Sequence, residues 1–196
     1  MFNDLSSPLD LLRTRRSGRP RDLVAPGPSG KELGDILGVG ARSPDHGKLH
    51  PWRFVHVAPG RRDAFAAMLH DAYRIDHPDP GRLEVEAVDR FARQAPELVV
   101  ALSSPRAGTK IPLWEQELSC GAACMNLCLA AHAMGYAAGW VTGWAAYSDA
   151  VLRAFGAPPE RIAGFIFLGT PAAPLEERLR PDLSEVISEW AGPDFP

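Results

Sequence analysis

The chain has 196 residues, 45% of them apolar and 23% charged, and a net charge of −3. That length carries a core of its own as one domain over residues 1–196, and the near-neutral balance excludes recruitment of nucleic acid or anionic membrane by a global basic field. The opening MFNDLSSPLDLL lacks the basic region and apolar run of a secretory leader and no stretch of about 18 apolar residues follows, so the expected compartment is the cytoplasm, with the three cysteines as thiols.

PLDLLRT at 8–14 reads as a short helix, and Gly and Pro break every period from 15 to 30. Residues 29–39 form a helix opening on Ser29, with Glu32 three positions on and Leu33, Ile36 and Leu37 as its apolar stripe. A strand is expected at 54–58, helices at 61–72 and 83–93, and a buried strand, ELVVAL, at 97–102. The longest helical pattern runs from 112 to 134. Pro112 opens it, where a missing N–H costs little, and its middle is apolar almost all round, which marks a central buried helix. A strand at 136–141, a short helix at 148–155, the strong strand RIAGFIFL at 161–168 and a helix at 183–190 complete the chain. Helices and a few strands interleave without a clean βαβ alternation, which argues for the α+β class. One long apolar helix in so short a chain also suggests a dimer interface.

Four stretches carry candidate chemistry. ARSPDHGKLHPWRF, 41–54, holds His46 and His50 four residues apart. A zinc protease helix would need a glutamate after the first histidine, but Gly47 stands there, and Pro44 and Pro51 bracket the segment. A loop with solvated histidines is the plainer alternative. Cys120, Cys124 and Cys128 fall on one face of the central helix, where cysteine serves as a small buried apolar residue, whereas iron–sulfur ligands usually converge from loops. RTRRSGR, 13–19, supplies guanidinium groups, the Ser17 hydroxyl and backbone N–H groups, the three donor types a phosphate takes, although a solvated charged face is an equal reading. GWVTGW, 139–144, can bring backbone N–H groups against a flat ring, or can simply be a strand end with buried tryptophan.

Taken in order, RRSGR, ARSPDHGKLHPWRF, WEQELSCGAACMNLCLAAHAMGYAAGWVTG and IAGFIFLGTP resemble the signature segments of the nitroreductase family, and the resemblance runs from about Leu9 to Pro174. It looks most like the minimal bacterial members. The resemblance implies a small mixed β-sheet flanked by helices in an intertwined homodimer, with FMN at the subunit interface. By position it implies Arg15, Arg16 and Ser17 at the FMN phosphate and flavin edge. Arg42 and His46 would reach the flavin from the partner subunit, and Trp140, Val141 and Thr142 would line the isoalloxazine. Arg178 and Arg180 are candidates for a further phosphate contact. The tail departs from the family pattern there.

The activity so implied is hydride transfer from NADH or NADPH through FMN to a nitroaromatic, quinone or similar flat acceptor, in ping-pong order. No protein nucleophile and no metal is called for, because the cofactor carries the chemistry. Arg42, His46 and Lys48, on a loop stiffened by Pro44 and Pro51 and anchored by Trp52, would stabilise negative charge at the ring edge. Trp114 and the 76–83 turn are candidate lid elements. A flavin-binding sensor or storage module without NAD(P)H turnover is the rival reading.

Overall fold

A computed structural model describes residues 2–193 of the chain. Its organising element is β5 (Arg161–Pro171), which pairs with β3 (Glu97–Ser103), β4 (Ala137–Val141) and, at its C-terminal end, β1 (Leu23–Val24). β2 (Trp52–His56) adds to the far side of β3 and makes a five-stranded sheet. The run Phe165–Leu168 is fully buried because both faces of β5 are covered. Alternation splits its side chains: Phe165 and Phe167 enter one cluster, Ile166 and Leu168 the other.

The first cluster is closed by α3 (Arg62–Asp76) and α4 (Arg82–Arg93), through Phe65, Leu69, Val88 and Ala92. The second is closed by α2 (Gly30–Gly40) and α5 (Leu113–Ala133), through Ile36, Cys124, Leu127 and Ala131. The layers are therefore helices, sheet, helices. The capping box read from Ser29 and Glu32 is present, with Ser29 accepting from the Glu32 amide and Glu32 accepting from the Ser29 amide at 2.8 Å. The helix at 8–14 (α1, Pro8–Thr14) is found as expected, with Ser7 as its cap.

The α+β class stands, but the expected mixed sheet is corrected: every strand pairing is antiparallel among the described residues. The connections explain this. Two helices, α3 and α4, lie between β2 and β3, so the chain reverses three times and the strands oppose. A single helix, α5, joins β3 to β4, which run the same way, but β5 lies between them and pairs antiparallel with both. Smaller differences occur at element ends. β2 starts at Trp52 rather than 54. Two short helices, α6 (Trp144–Tyr147) and α7 (Asp149–Leu152), replace the one read at 148–155, and α8 stops at Val186.

The three cysteines lie on the sheet-facing side of α5, and burial pushes the Cys128 thiol up to about 12. No helix among the described residues is long and apolar enough to cross a membrane.

His132, near the end of α5, is fully buried, with neither ring nitrogen partnered among the described residues. Asn3 Nδ2 donates to its carbonyl at 2.7 Å, and the Phe2 ring meets it edge-on. Burial first, and the Arg15 charge second, push its pKa from 6.5 down to about 4. The folded state thus binds fewer protons than the unfolded chain between those values. The stability of the neutral ring is present above pH 6.5 and is lost as pH falls through about 4. Thermal unfolding followed from pH 7 to pH 4 is expected to show a fall that His132→Leu largely removes. Equal pH slopes for the two proteins would contradict this.

Candidate active site

α1 ends at Arg15, whose backbone turns extended (φ −60°, ψ 142°), and the next residues run alongside β4. Gly18 N–H donates to the Ala138 carbonyl at 2.9 Å. A Cβ on Gly139 would stand 2.5 Å from the Gly18 carbonyl oxygen and 3.1 Å from the Pro20 ring, so only glycine lets the two segments approach. The arginine run is thereby docked against the strand that ends in Trp140, Val141 and Thr142. Gly139→Ala is expected to push the segments apart and cost about 1–3 kcal/mol of stability, the usual range for overpacking. It is also expected to weaken any ligand that touches both segments. Unchanged unfolding and unchanged ligand affinity would show that the contact does not matter.

The expected phosphate residues take separate positions. Arg15 is half-buried and forms no ion pair among the described residues. Its charge acts on His132 and Cys128, so the side chain lies near the last turns of α5. Arg16 is folded back, donating to the carbonyls of Arg13 and Arg15 at 3.3 and 3.2 Å and to that of Thr14, and it pairs with Glu177. Ser17 lines a cavity of about 210 Å³ with Arg19, Asp22 and the 173–178 segment, Arg178 included. Arg180 pairs with Glu177 at 2.8 Å. Arg19 joins Ser17 at this cavity, although the resemblance assigns it no role. Only the three-dimensional placement of 173–178 separates it from its neighbours.

Trp140 is 39% exposed, and its indole N–H donates to the Ala163 carbonyl at 3.1 Å. The ring lies over Gly164, where a Cβ would collide with it. Val141 packs into the first core cluster, Thr142 is exposed, and Gly143 follows with φ +72° and open space around it. This wall borders three adjoining hollows. One is lined by Arg19, Arg21, Phe91 and Gln94, one by Ser103, Cys120, Gly121 and Tyr147, and one by Leu69, Tyr73, Phe91 and Trp144.

The loop with Arg42 and His46 stands elsewhere on the chain. Three contacts pin it: Ser119 Oγ donates to the Pro44 carbonyl at 2.6 Å, Asn126 Nδ2 donates to Ser43 Oγ at 2.7 Å, and the Leu49 amide donates to Asp45. Gly47, Lys48 and His50 have φ of +82°, +56° and +48°, so the two histidines share no helix. Left-handed backbone at two non-glycine residues is strain that the pins sustain. Trp52 is buried in the second cluster, as an anchor should be. Arg42 is exposed, and His46 Nδ1 lies 2.8 Å from Glu115. Among the described residues, no hydrogen bond or ion pair joins this loop to residues 15–19 or 140–142 of the same chain. Trp114 sits at the Glu115 end of α5. The 76–83 turn reaches Trp144 through Asp76, which accepts from the indole at 2.9 Å, and through the His77 ring, which meets it edge-on. No group of three or more potential metal ligands occurs among the described residues.

The profile of the nitroreductase family matches residues 12–170 of the chain. A relative from Escherichia coli K12 named "Putative NAD(P)H nitroreductase YdjA" is 35% identical over 164 residues, covering 83% of this chain and 87% of its own. Among solved structures, the nitroreductase-like family protein of Bacillus cereus superposes with a TM-score of 0.78 at 18% identity, covering 95% of this chain and 97% of its own. The nitroreductase with bound FMN from Bacteroides fragilis gives 0.68 at 22% identity, with coverages of 92% and 98%.

Proposed function

The chain belongs to the nitroreductase family, and from that premise we propose that it is an FMN-dependent oxidoreductase. It takes hydride from NADH or NADPH and delivers it to a nitroaromatic, quinone or similar flat acceptor, the two substrates using one slot in turn. The name of the E. coli relative supports the coenzyme, and the bound FMN of the B. fragilis structure supports the cofactor. The observation that carries the reading is the docking of 15–19 on β4 through Gly18 and Gly139. It joins the arginine run to the 140–143 wall.

The donor set fits FMN. Arg15, Arg16, Ser17 and Arg19 offer guanidinium and hydroxyl donors to a phosphate, and the wall beyond them presents exposed backbone at Thr142 and Gly143 to a flat ring. When bound, FMN supplies the hydride-accepting and hydride-donating chemistry. The chain's own residues bind and orient. Arg15, Arg16 and Ser17 hold the phosphate, and Trp140, Val141 and Thr142 back the ring. Arg42 and His46, supplied by a second copy, stabilise the negative charge that reduction places at the ring edge.

A homodimer accounts for two features that one chain leaves open. The 41–50 loop is pinned to α5, and among the described residues no hydrogen bond or ion pair joins it to residues 15–19 of its own chain. Leu9 and Leu12 on α1 and Leu118 on α5 are each more than half exposed. To test the function, the purified chain is supplied with FMN, and NADH or NADPH oxidation is followed with a nitroaromatic. A yellow protein bleached by reduced coenzyme without oxygen and recoloured by the acceptor is expected. A colourless protein that takes up no FMN contradicts the proposal, and a yellow one that no coenzyme bleaches is a binding module instead.

A further inference from the structure

Two arginines at the phosphate end of the cleft already have carboxylate partners. Glu177 pairs with Arg16, and its other oxygen accepts from Arg180 at 2.8 Å and from the Arg178 amide at 3.1 Å. Glu176 pairs with Arg19 at 2.7 Å. Both acids lie just beyond β5, in the stretch that forms one wall of the cavity of about 210 Å³ opposite Ser17 and Arg19. They reach the cations from more than 150 positions away in sequence, so these contacts fix the 173–178 wall against the 15–19 segment.

We propose that Glu176 and Glu177 act as an anionic latch. Their carboxylates take the guanidinium sites that a phosphate monoester needs, and phosphate binding expels them and frees the 175–178 stretch. This rests on the FMN reading above and adds to it a competitor built into the chain. The chemistry of the exchange is matched, since a carboxylate and a phosphate offer Arg the same planar pair of acceptor oxygens. The Arg19–Glu176 pair is weak enough to yield, with side chains 56% and 77% exposed, since exposed ion pairs contribute little to stability. Arg16 is more sheltered, at 18%, but Glu177 is 48% exposed, so its carboxylate can leave to water when a phosphate takes its place. Arg15, with no carboxylate partner among the described residues, and Ser17 remain open for the first contact. The latch lowers apparent affinity by the fraction of time it is closed.

The test compares the wild type with the double variant Glu176→Gln/Glu177→Gln, titrating each with FMN and with riboflavin, which lacks the phosphate, by quenching of flavin fluorescence. The variant is expected to bind FMN roughly tenfold more tightly, with riboflavin affinity unchanged. FMN affinity that stays the same or falls overturns the latch, a fall meaning that the acids position the arginines for the phosphate. Equal tightening toward riboflavin also overturns it, because the effect would then not belong to the phosphate. If the wild type binds neither flavin, the cofactor reading fails, and that outcome is distinct from each of these.

Discussion

Arg62→Met is expected to lower the unfolding free energy by about 3–5 kcal/mol, the largest single effect of any side chain discussed. Arg62 is 7% exposed, at the start of α3. Its guanidinium donates to five backbone carbonyls: Val57 at 3.2 Å, Ala92 at 2.9 Å, Gln94 at 3.2 Å, and Ala95 and Pro96 at 3.4 Å. No carboxylate pairs with it among the described residues, and burial lowers its pKa from the usual guanidinium value. The ring of Phe167 lies 6.0 Å away. Methionine fills most of the volume but leaves those acceptors without their donor, the Val57 and Ala92 carbonyls in a buried position. Four of the carbonyls belong to the end of α4 and the turn into β3, where Ala95 has φ +56°, and the fifth, Val57, follows β2, so the loss loosens the segment that carries Phe91 and Gln94 to the cleft. Urea unfolding checks this. A loss under about 1 kcal/mol would show that water replaces the guanidinium at little cost.

Arg15→Ala is expected to weaken FMN binding by about 2–4 kcal/mol, roughly thirty-fold to a thousand-fold, while leaving riboflavin binding nearly unchanged. Arg15 differs from its neighbours in its partners. Arg16 and Arg19 are engaged by Glu177 and Glu176, whereas Arg15 has no carboxylate partner among the described residues. It sits where the α1 helix ends, and it is half-buried. Equilibrium dialysis against FMN measures the effect. Occupancy equal to that of the wild type would remove Arg15 from the phosphate site.

Much of this molecule was legible in its sequence because the signals were local. Ser29 and Glu32 announce α2 within four residues, Pro112 and a run of small apolar side chains announce α5, and RIAGFIFL announces β5. The sheet's pairing was less legible. Its antiparallel order depends on β5 entering between β3 and β4, and no spacing in the chain encodes that. The same holds for the site. RTRRSGR reads equally as a phosphate site or a solvated charged face, and nothing local distinguishes Arg15, without an ion pair among the described residues, from Arg16, folded onto α1 and paired with Glu177. Gly139 looked like one glycine among eighteen, and its role appears only when Gly18 is seen 2.9 Å from Ala138. The strain at Lys48 and His50 is likewise invisible until Ser119 and Asn126, some seventy residues on, are seen to pin the loop.

If one flavin is gripped by Arg15 of one subunit and Arg42 of the other, a mixed dimer of two damaged chains regains one intact site. Arg15→Ala and Arg42→Ala chains carrying different tags are co-expressed, and the mixed dimer is isolated through both tags. Each parent dimer has two damaged sites. The mixed dimer has one site damaged twice and one site intact, because the Arg42→Ala chain supplies Arg15 and the Arg15→Ala chain supplies Arg42. The account predicts one FMN per mixed dimer, bound as tightly as in the wild type, with half the wild-type turnover. A mixed dimer with no site tighter than its parents' would contradict it, since each site would then be built within a single chain.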